Sequence, residues 1–235
     1  MRMSRPDFTL LIPLYNEEEC LIPNMGQLLR FLRARGLEAQ IILGSNGSTD
    51  NTVLIGKLLE GLSPGRITFF HLPCRGAVGS VFKEALKLAD SPYIVSMDAD
   101  LSVDLEFIPR SLALFRDFDI VVGSKQSGCQ ARSLVRRFGS GLFILCAQML
   151  LRMPYNDYSI GAKAYRTEIF DEWQDRMSDD TNYVMDILLR CGREGRRIAV
   201  LPVECSDWRK SRFRLLGEAF VKYSRLFHLC FNRYL

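Results

Sequence analysis

The sequence predicts an α/β fold with a mostly parallel central sheet flanked by helices, and two patterns carry that prediction. Between residues 8 and 122, short apolar runs alternate with segments of helical periodicity. Strands that alternate with helices need crossovers covering both sheet faces. The 235 residues are 48% apolar and 25% charged, a globular balance that sets aside disordered, collagen-like and coiled-coil classes. That length suits one large domain or two small ones, with enough chain for a core that needs no staples.

The elements follow in order. Phe8 to Pro13 is a short apolar run, and Glu17 to Gly36 carries apolar residues at helical spacing and ends in a glycine. Ile41 to Leu43 is a second strand, followed by the turn-rich stretch from Gly44 to Asp50. A helix from Asn51 to Leu62 is broken by Ser63, Pro64 and Gly65. Ile67 to Leu72 is a third strand and Gly76 to Asp90 a helix, with Gly76 and Gly79 read as easing its tight start. Tyr93 to Met97 is a fourth strand, Leu105 to Arg116 a helix and Ile120 to Val122 a fifth strand.

Several classes are excluded. The seven cysteines, at 20, 74, 129, 146, 191, 205 and 230, contain no C-x-x-C pair, which argues against a disulfide framework or a zinc site and for a reducing compartment. The apolar run after the N-terminus is too short for a signal peptide. Between Arg137 and Arg152 lie fourteen uncharged residues, a helix of roughly 21 Å at 1.5 Å per residue, short of the ~20 residues a bilayer span needs. A buried core helix and a segment dipping into a bilayer surface both remain open there. Charge is uneven: residues 1–124 are net −3, 125–189 neutral and 190–235 net +7. A basic end suits nucleic acid, anionic lipid or phosphate, but no nucleic-acid reader motif accompanies it. Residues 213–235 place Leu215, Leu216, Ala219, Phe220, Tyr223, Phe227 and Phe231 at helical spacing, with Arg214, Lys222, Arg225 and Arg233 around the edges. Such a helix fits a membrane interface or an ordinary core.

In parallel sheets, ligands sit where the loops leave the carboxyl ends of the strands. Three of those loops here are unusually polar: residues 13–19, 45–50 and 98–100. Asp98 and Asp100 are the strongest local signal, since residues i and i+2 of an extended segment point the same way. Two such carboxylates repel unless a cation bridges them, and hard oxygen ligands suit Mg²⁺ or Mn²⁺ shared with phosphate oxygens and water. The competing reading is a capping pair for the helix beginning near Leu105. For the 45–50 loop, the competitor is an Asx-type turn built by Asn46, Ser48 and Asp50. His71 and His228, the two histidines, sit in no recognisable motif.

Taken together, these loops resemble glycosyltransferase family 2, the inverting nucleotide-sugar transferases. The resemblance rests on I-P-L-Y-N-E-E at 12–18, N-G-S-T-D-N-T at 46–52, R-G-A-V-G-S-V-F-K-E-A at 75–85 and S-M-D-A-D-L-S at 96–102. It continues through V-V-G-S-K at 121–125, D-Y-S-I-G-A-K-A-Y-R at 157–166 and I-A-V-L-P-V-E at 198–204. The later segments look most like the dolichol- or polyprenyl-phosphate sugar synthases.

The resemblance implies a single Rossmann-like domain of GT-A type over residues 1–212, binding a nucleotide diphosphate-sugar of the GDP-mannose or UDP-glucose kind over Mg²⁺ or Mn²⁺. It places Pro13, Tyr15 and Glu17 in the nucleotide pocket with Asn46 and Ser48, Arg75 beside the donor phosphates, and Asp98 and Asp100 at the metal and sugar. Ser102 stands where many relatives have a metal-contacting glutamine. Ser45 and Asn46 stand where relatives usually have two aspartates. A polyprenyl-phosphate acceptor is already an anion and needs positive groups rather than a strong base; Lys125 and Arg132 match basic positions that hold it, and Ser211 with Arg212 matches a pair near the crevice. An acceptor hydroxyl would instead call for a carboxylate, Asp157 or Asp186 by family position. Residues 213–235 then form a membrane-interface element of a peripheral protein on the cytoplasmic face, with a membrane-anchoring subunit as a further partner and no nucleic acid. The alternatives are a family 2 transferase acting on a hydroxyl and a non-catalytic nucleotide-sugar-binding subunit.

Overall fold

The computed structural model describes residues 6–75, 78–125, 160–171 and 174–205. Its strands are β1 (Phe8–Leu14), β2 (Ala39–Asn46), β3 (Ile67–Leu72), β4 (Tyr93–Ser96), β5 (Ile120–Lys125), β6 (Lys163–Arg166) and β7 (Ile198–Val203). The helices are α1 (Leu21–Ala34), α2 (Thr52–Leu62), α3 (Val78–Leu88), α4 (Phe107–Leu114) and α5 (Tyr183–Arg193), with short 3₁₀ turns at Thr167–Phe170 and Gln174–Arg176.

The strands form one sheet in the order β3-β2-β1-β4-β6-β5-β7. Every pairing is parallel except those of β6, which runs antiparallel between β4 and β5. β1 is interior to the sheet, and successive residues from Phe8 to Ile12 are all buried, so both its faces are covered. β7 is an edge strand and alternates buried with exposed residues. After β3 the chain crosses β1 to lay down β4, so the strand order reverses between β1 and β4. Loops leaving the two strands diverge there and open a crevice at their carboxyl ends.

The antiparallel β6 was not expected from the sequence, and it matters for the site. Because it runs against its neighbours, its beginning meets the end of β4, with Lys163 opposite Ser96. Beneath that junction Phe82 of α3, Tyr165 of β6, Phe170 and Tyr183 of α5 pack ring to ring at 5.0–5.5 Å. Aromatic pairs of this kind add about 0.5–1.5 kcal/mol each beyond simple burial. The cluster fixes α3 and α5 against the strand that underlies the crevice.

Candidate active site

The loops after β1 and β2 are joined side chain to backbone. Asn16 takes a left-handed conformation, φ 53°, and its Oδ1 accepts the Thr49 N–H at 2.8 Å while its own N–H reaches Ser48 Oγ at 3.2 Å. The Glu17 N–H donates to Thr52 Oγ1 at 2.7 Å, and the Glu18 N–H to Asp50 Oδ2 at 3.2 Å. Glu18 Oε2 returns the contact by accepting from Asn51 N–H and Nδ2. Asp50 also accepts the Thr52 N–H at 3.0 Å, closing the first turn of α2. Partial burial works to raise the Asp50 pKa, but hydrogen bonds from Thr52 and the Glu18 backbone outweigh it and hold the carboxyl below its usual value. Asp50 is therefore a structural clamp, while Ser48 ties the Asn16 backbone to Ser45.

The floor of this half is a hydroxyl chain. Ser45, fully buried, donates to Ser48 Oγ at 2.9 Å and contacts His71 Nδ1 at 3.0 Å. His71 stands opposite Ser45 across the β2–β3 register, a neighbour the sequence could not reveal. The Arg75 guanidinium lies over the Tyr15 ring, 4.6 Å from its centroid, so the fold brings together two residues expected at the nucleotide and its phosphates. Pro13 sits in β1 opposite Gly44, and Glu17 Oε2 accepts the Cys20 thiol at 3.1 Å.

Across the crevice, the acidic pair lies beyond the end of β4 and not in extended backbone as the sequence implied. Leu101 has φ 50° and donates its N–H to the Asp98 carbonyl, so residues 98–101 form a turn. Ala99 is buried between the more accessible Asp98 and Asp100, and its carbonyl accepts from Asn24 Nδ2 at 2.8 Å. Asp100 Oδ1 accepts the Ser102 N–H at 3.0 Å, so Ser102 meets Asp100 through its backbone. The pair does not cap the next helix, because α4 starts at Phe107 and Asp104 serves its first turn by accepting from the Glu106 N–H at 3.1 Å.

Asp98 rests on Gly161. A Cβ at that glycine would stand 2.2 Å from Asp98 Oδ1 and 2.3 Å from Oδ2, so no other residue leaves the carboxylate where it is. The amine of Lys163, almost completely buried, donates to the Ile160 carbonyl and ties down this segment. Tyr183 lies below; burial, and then the negative charge of Asp98, keep its phenol protonated, against the opposing effect of a hydrogen bond with Ser96. Gly161, Lys163 and Tyr183 carry no signal of their own in the sequence beyond the family pattern at 157–166.

Asp186, on α5, accepts both the N–H of Ser178 at 2.8 Å and its hydroxyl at 2.6 Å. This explains how an acid is accommodated in an apolar helix. The loop it holds presses on the first turn of α3: a Cβ at Gly79 would fall 2.1 Å from the Ser178 carbonyl oxygen. Gly79, the second residue of α3, thus permits a close helix–loop contact at the start of that helix. Arg132, Asp157, Ser211, Arg212 and the 213–235 segment lie outside the described residues, as does Gly76, and only the backbone of Lys125, closing β5, is described.

The donor set fits a hard divalent cation that shares its shell with diphosphate. Asp98 and Asp100, both accessible, stand two residues apart in the turn after β4, and among the described residues no cluster of three or more His, Cys, Asp or Glu side chains forms a closed cage. A cavity of about 560 Å³ lies elsewhere, lined by Asp119, Glu168, Arg190, Glu194 and Arg196. With Asp171 its lining holds four acids against two arginines, both arginines pairing with Glu194, and it includes none of the crevice residues.

Residues 9–173 match the family described as Glycosyl transferase family 2. The chain belongs to that family. Among curated family 2 relatives, it is 25% identical over 201 residues to a dolichyl-phosphate hexose transferase of Haloferax volcanii, covering 84% of this chain and 82% of that one. It is 26% identical to glycosyltransferase AglD of the same organism, over 86% of this chain and 33% of that one. It is also 26% identical to an undecaprenyl-phosphate 4-deoxy-4-formamido-L-arabinose transferase of Proteus mirabilis, over 69% of this chain and 50% of that one. The chain thus spans only a third to a half of the last two. Among solved structures, glucosyl-3-phosphoglycerate synthase from Mycobacterium tuberculosis, in complex with Mn²⁺, UDP and phosphoglyceric acid, superposes with a TM-score of 0.72 at 17% identity, over 96% of this chain and 78% of that one. Mannosyl-3-phosphoglycerate synthase from Rubrobacter xylanophilus gives 0.70 at 14% identity, over 97% and 75%. The fold is the GT-A glycosyltransferase fold that the sequence predicted, and the chain is a glycosyltransferase.

Proposed function

We propose that this family 2 enzyme transfers a hexose, with inversion, from a nucleotide diphosphate-sugar to a polyprenyl phosphate. The observation that carries the reading is the placement of Asp98 and Asp100 across the β1–β4 crevice from the Tyr15–Arg75 stack. The lipid-phosphate acceptor is supported by the dolichyl- and undecaprenyl-phosphate transferases among the relatives.

In this reading, Tyr15, Asn46 and Ser48 hold the nucleotide and Arg75 faces its phosphates. Asp98 and Asp100 hold Mg²⁺ or Mn²⁺, which when bound offsets the charge developing on the leaving diphosphate. Gly161 and Lys163 keep Asp98 in position, and Ser102 keeps Asp100. The acceptor phosphate is an anion, so the protein has only to hold it; Lys125, Arg132, Ser211 and Arg212 supply the positive charge and hydrogen bonds. Residues 1–212 form the catalytic unit, and the basic amphipathic segment 213–235 meets a membrane surface on its cytoplasmic face. Among the described residues, no helix is long and apolar enough to cross a membrane, and an anchoring subunit is a natural partner for such a chain. A hydroxyl acceptor would need a base, and Asp186 is engaged with Ser178.

The test is transfer of radiolabelled sugar from UDP-glucose, GDP-mannose and related donors to a short polyprenyl phosphate, with Mn²⁺ or Mg²⁺ and with a chelator. Chelator-sensitive labelled lipid is expected. Metal-dependent nucleotide binding with label passing only to hydroxyl acceptors would overturn the acceptor assignment.

A further inference from the structure

Building on the reading that the β1–β4 crevice binds a nucleotide diphosphate, we propose that His71 determines specificity for the base. Its Nε2 accepts the ring N–H of uracil or guanine, and Ser45 and Ser48 fix the tautomer that makes it an acceptor.

The argument is one of proton counting. Ser45 Oγ has a single proton, which it gives to Ser48 Oγ at 2.9 Å. The 3.0 Å contact between Ser45 Oγ and His71 Nδ1 is then made with Nδ1–H as donor. A neutral imidazole protonated on Nδ1 carries its lone pair on Nε2. Burial enforces this orientation, since Ser45 is sealed from water and its hydroxyl has no solvent alternative, whereas His71 is exposed and its far nitrogen is open to a ligand.

Ser48 Oγ accepts from Ser45 and from the Asn16 N–H at 3.2 Å, which holds the Ser45 hydroxyl turned away from His71. The exposed imidazole therefore offers one acceptor, Nε2. Its complement is a ring N–H, which uracil has at N3 and guanine at N1. Cytosine N3 and adenine N1 are lone pairs and would meet the lone pair of Nε2. The chain has no carboxylate at 45 or 46 to accept such a proton, and the imidazole fills that need from the neighbouring strand. Arg75, whose backbone N would lie 2.7 Å from a Cβ on Gly47, bounds the same pocket and brings positive charge for the diphosphate.

The test is calorimetric binding of UDP, GDP, CDP, ADP, N3-methyl-UDP and N1-methyl-GDP to the full chain with Mn²⁺. UDP or GDP is expected to bind about tenfold tighter than CDP and ADP, the scale of one hydrogen bond, and methylation of its ring N–H to remove that advantage. His71→Ala should bring the preferred nucleotide down to the level of CDP and ADP, while His71→Gln, which keeps an acceptor, should restore part of the preference. A His71→Ala protein that retains the full base preference would overturn the assignment, as would a wild type that favours CDP or ADP. Absence of any nucleotide binding by the wild type would instead remove the crevice reading, and this inference with it.

Discussion

The two sides of the crevice are built on opposite principles. On the β1–β3 side, polar side chains are spent inside the protein: Asn16, Ser45 and Ser48 form one hydrogen-bonded group, and Asp50 with Thr52 a second that holds the Glu17 and Glu18 backbone, so two loops are fixed before any ligand arrives. On the β4–β6 side, the two carboxylates project from a tight turn and are held from beneath, by Gly161 under Asp98 and the Ser102 amide beside Asp100. The difference teaches that a neutral ligand edge is best pre-formed by internal hydrogen bonds. A cation site must instead keep its charge outward and rely on backbone for position.

That contrast can be broken most severely on the acidic side. Asp100→Ala should lower sugar transfer by about 10²–10³-fold, the loss seen when one electrostatic stabiliser is removed, while the melting curve is nearly unchanged because the side chain is half exposed. Transfer at the wild-type rate would end the metal assignment. Gly161→Ala should come next, because its methyl displaces the Asp98 carboxylate. Turnover is expected to fall by on the order of 10²-fold with nucleotide affinity retained, as displacements of about 1 Å do. Equal losses in turnover and affinity would point to general disruption.

The remaining tests concern stability. Gly79→Ala forces a Cβ into the Ser178 carbonyl, and overpacking of this kind costs about 1–3 kcal/mol, measurable as a lower denaturation midpoint. Asp186→Asn retains an acceptor for Ser178, so it should change transfer to a lipid phosphate little; severe loss of transfer would revive its role as a base. The smallest effect is expected from Asp50. Its carboxyl is held below the usual 3.8 in the folded protein, so it stabilises the fold above that value and loses the contribution as pH falls through the lower folded value. Asp50→Asn should flatten that acid limb slightly in pH-dependent unfolding.

Much of this was legible in the sequence because strand and loop signals are local. The Ile67–Leu72 strand coincides with its expected limits, and the strands beginning at Phe8, Tyr93 and Ile120 start where the apolar runs start. The helix expected from Glu17 begins instead at Leu21, because Glu17 and Glu18 are taken up by hydrogen bonds to the neighbouring loop. The polar loops that would meet at one edge were also identifiable, since the carboxyl ends of parallel strands share a side.

By itself, the sequence determined the alternation of strands and helices, the family, and the acids and loops at the crevice, all of which depend on residue type and spacing along the chain. Only the tertiary structure decided which residues became partners across it. The antiparallel course of β6 carried Gly161 and Lys163 beneath Asp98, and the β2–β3 register set His71 beside Ser45. Those contacts join residues 26 and more positions apart. Their pairing follows from sheet order and strand direction, which arise from the packing of the whole core and leave no local periodicity to read.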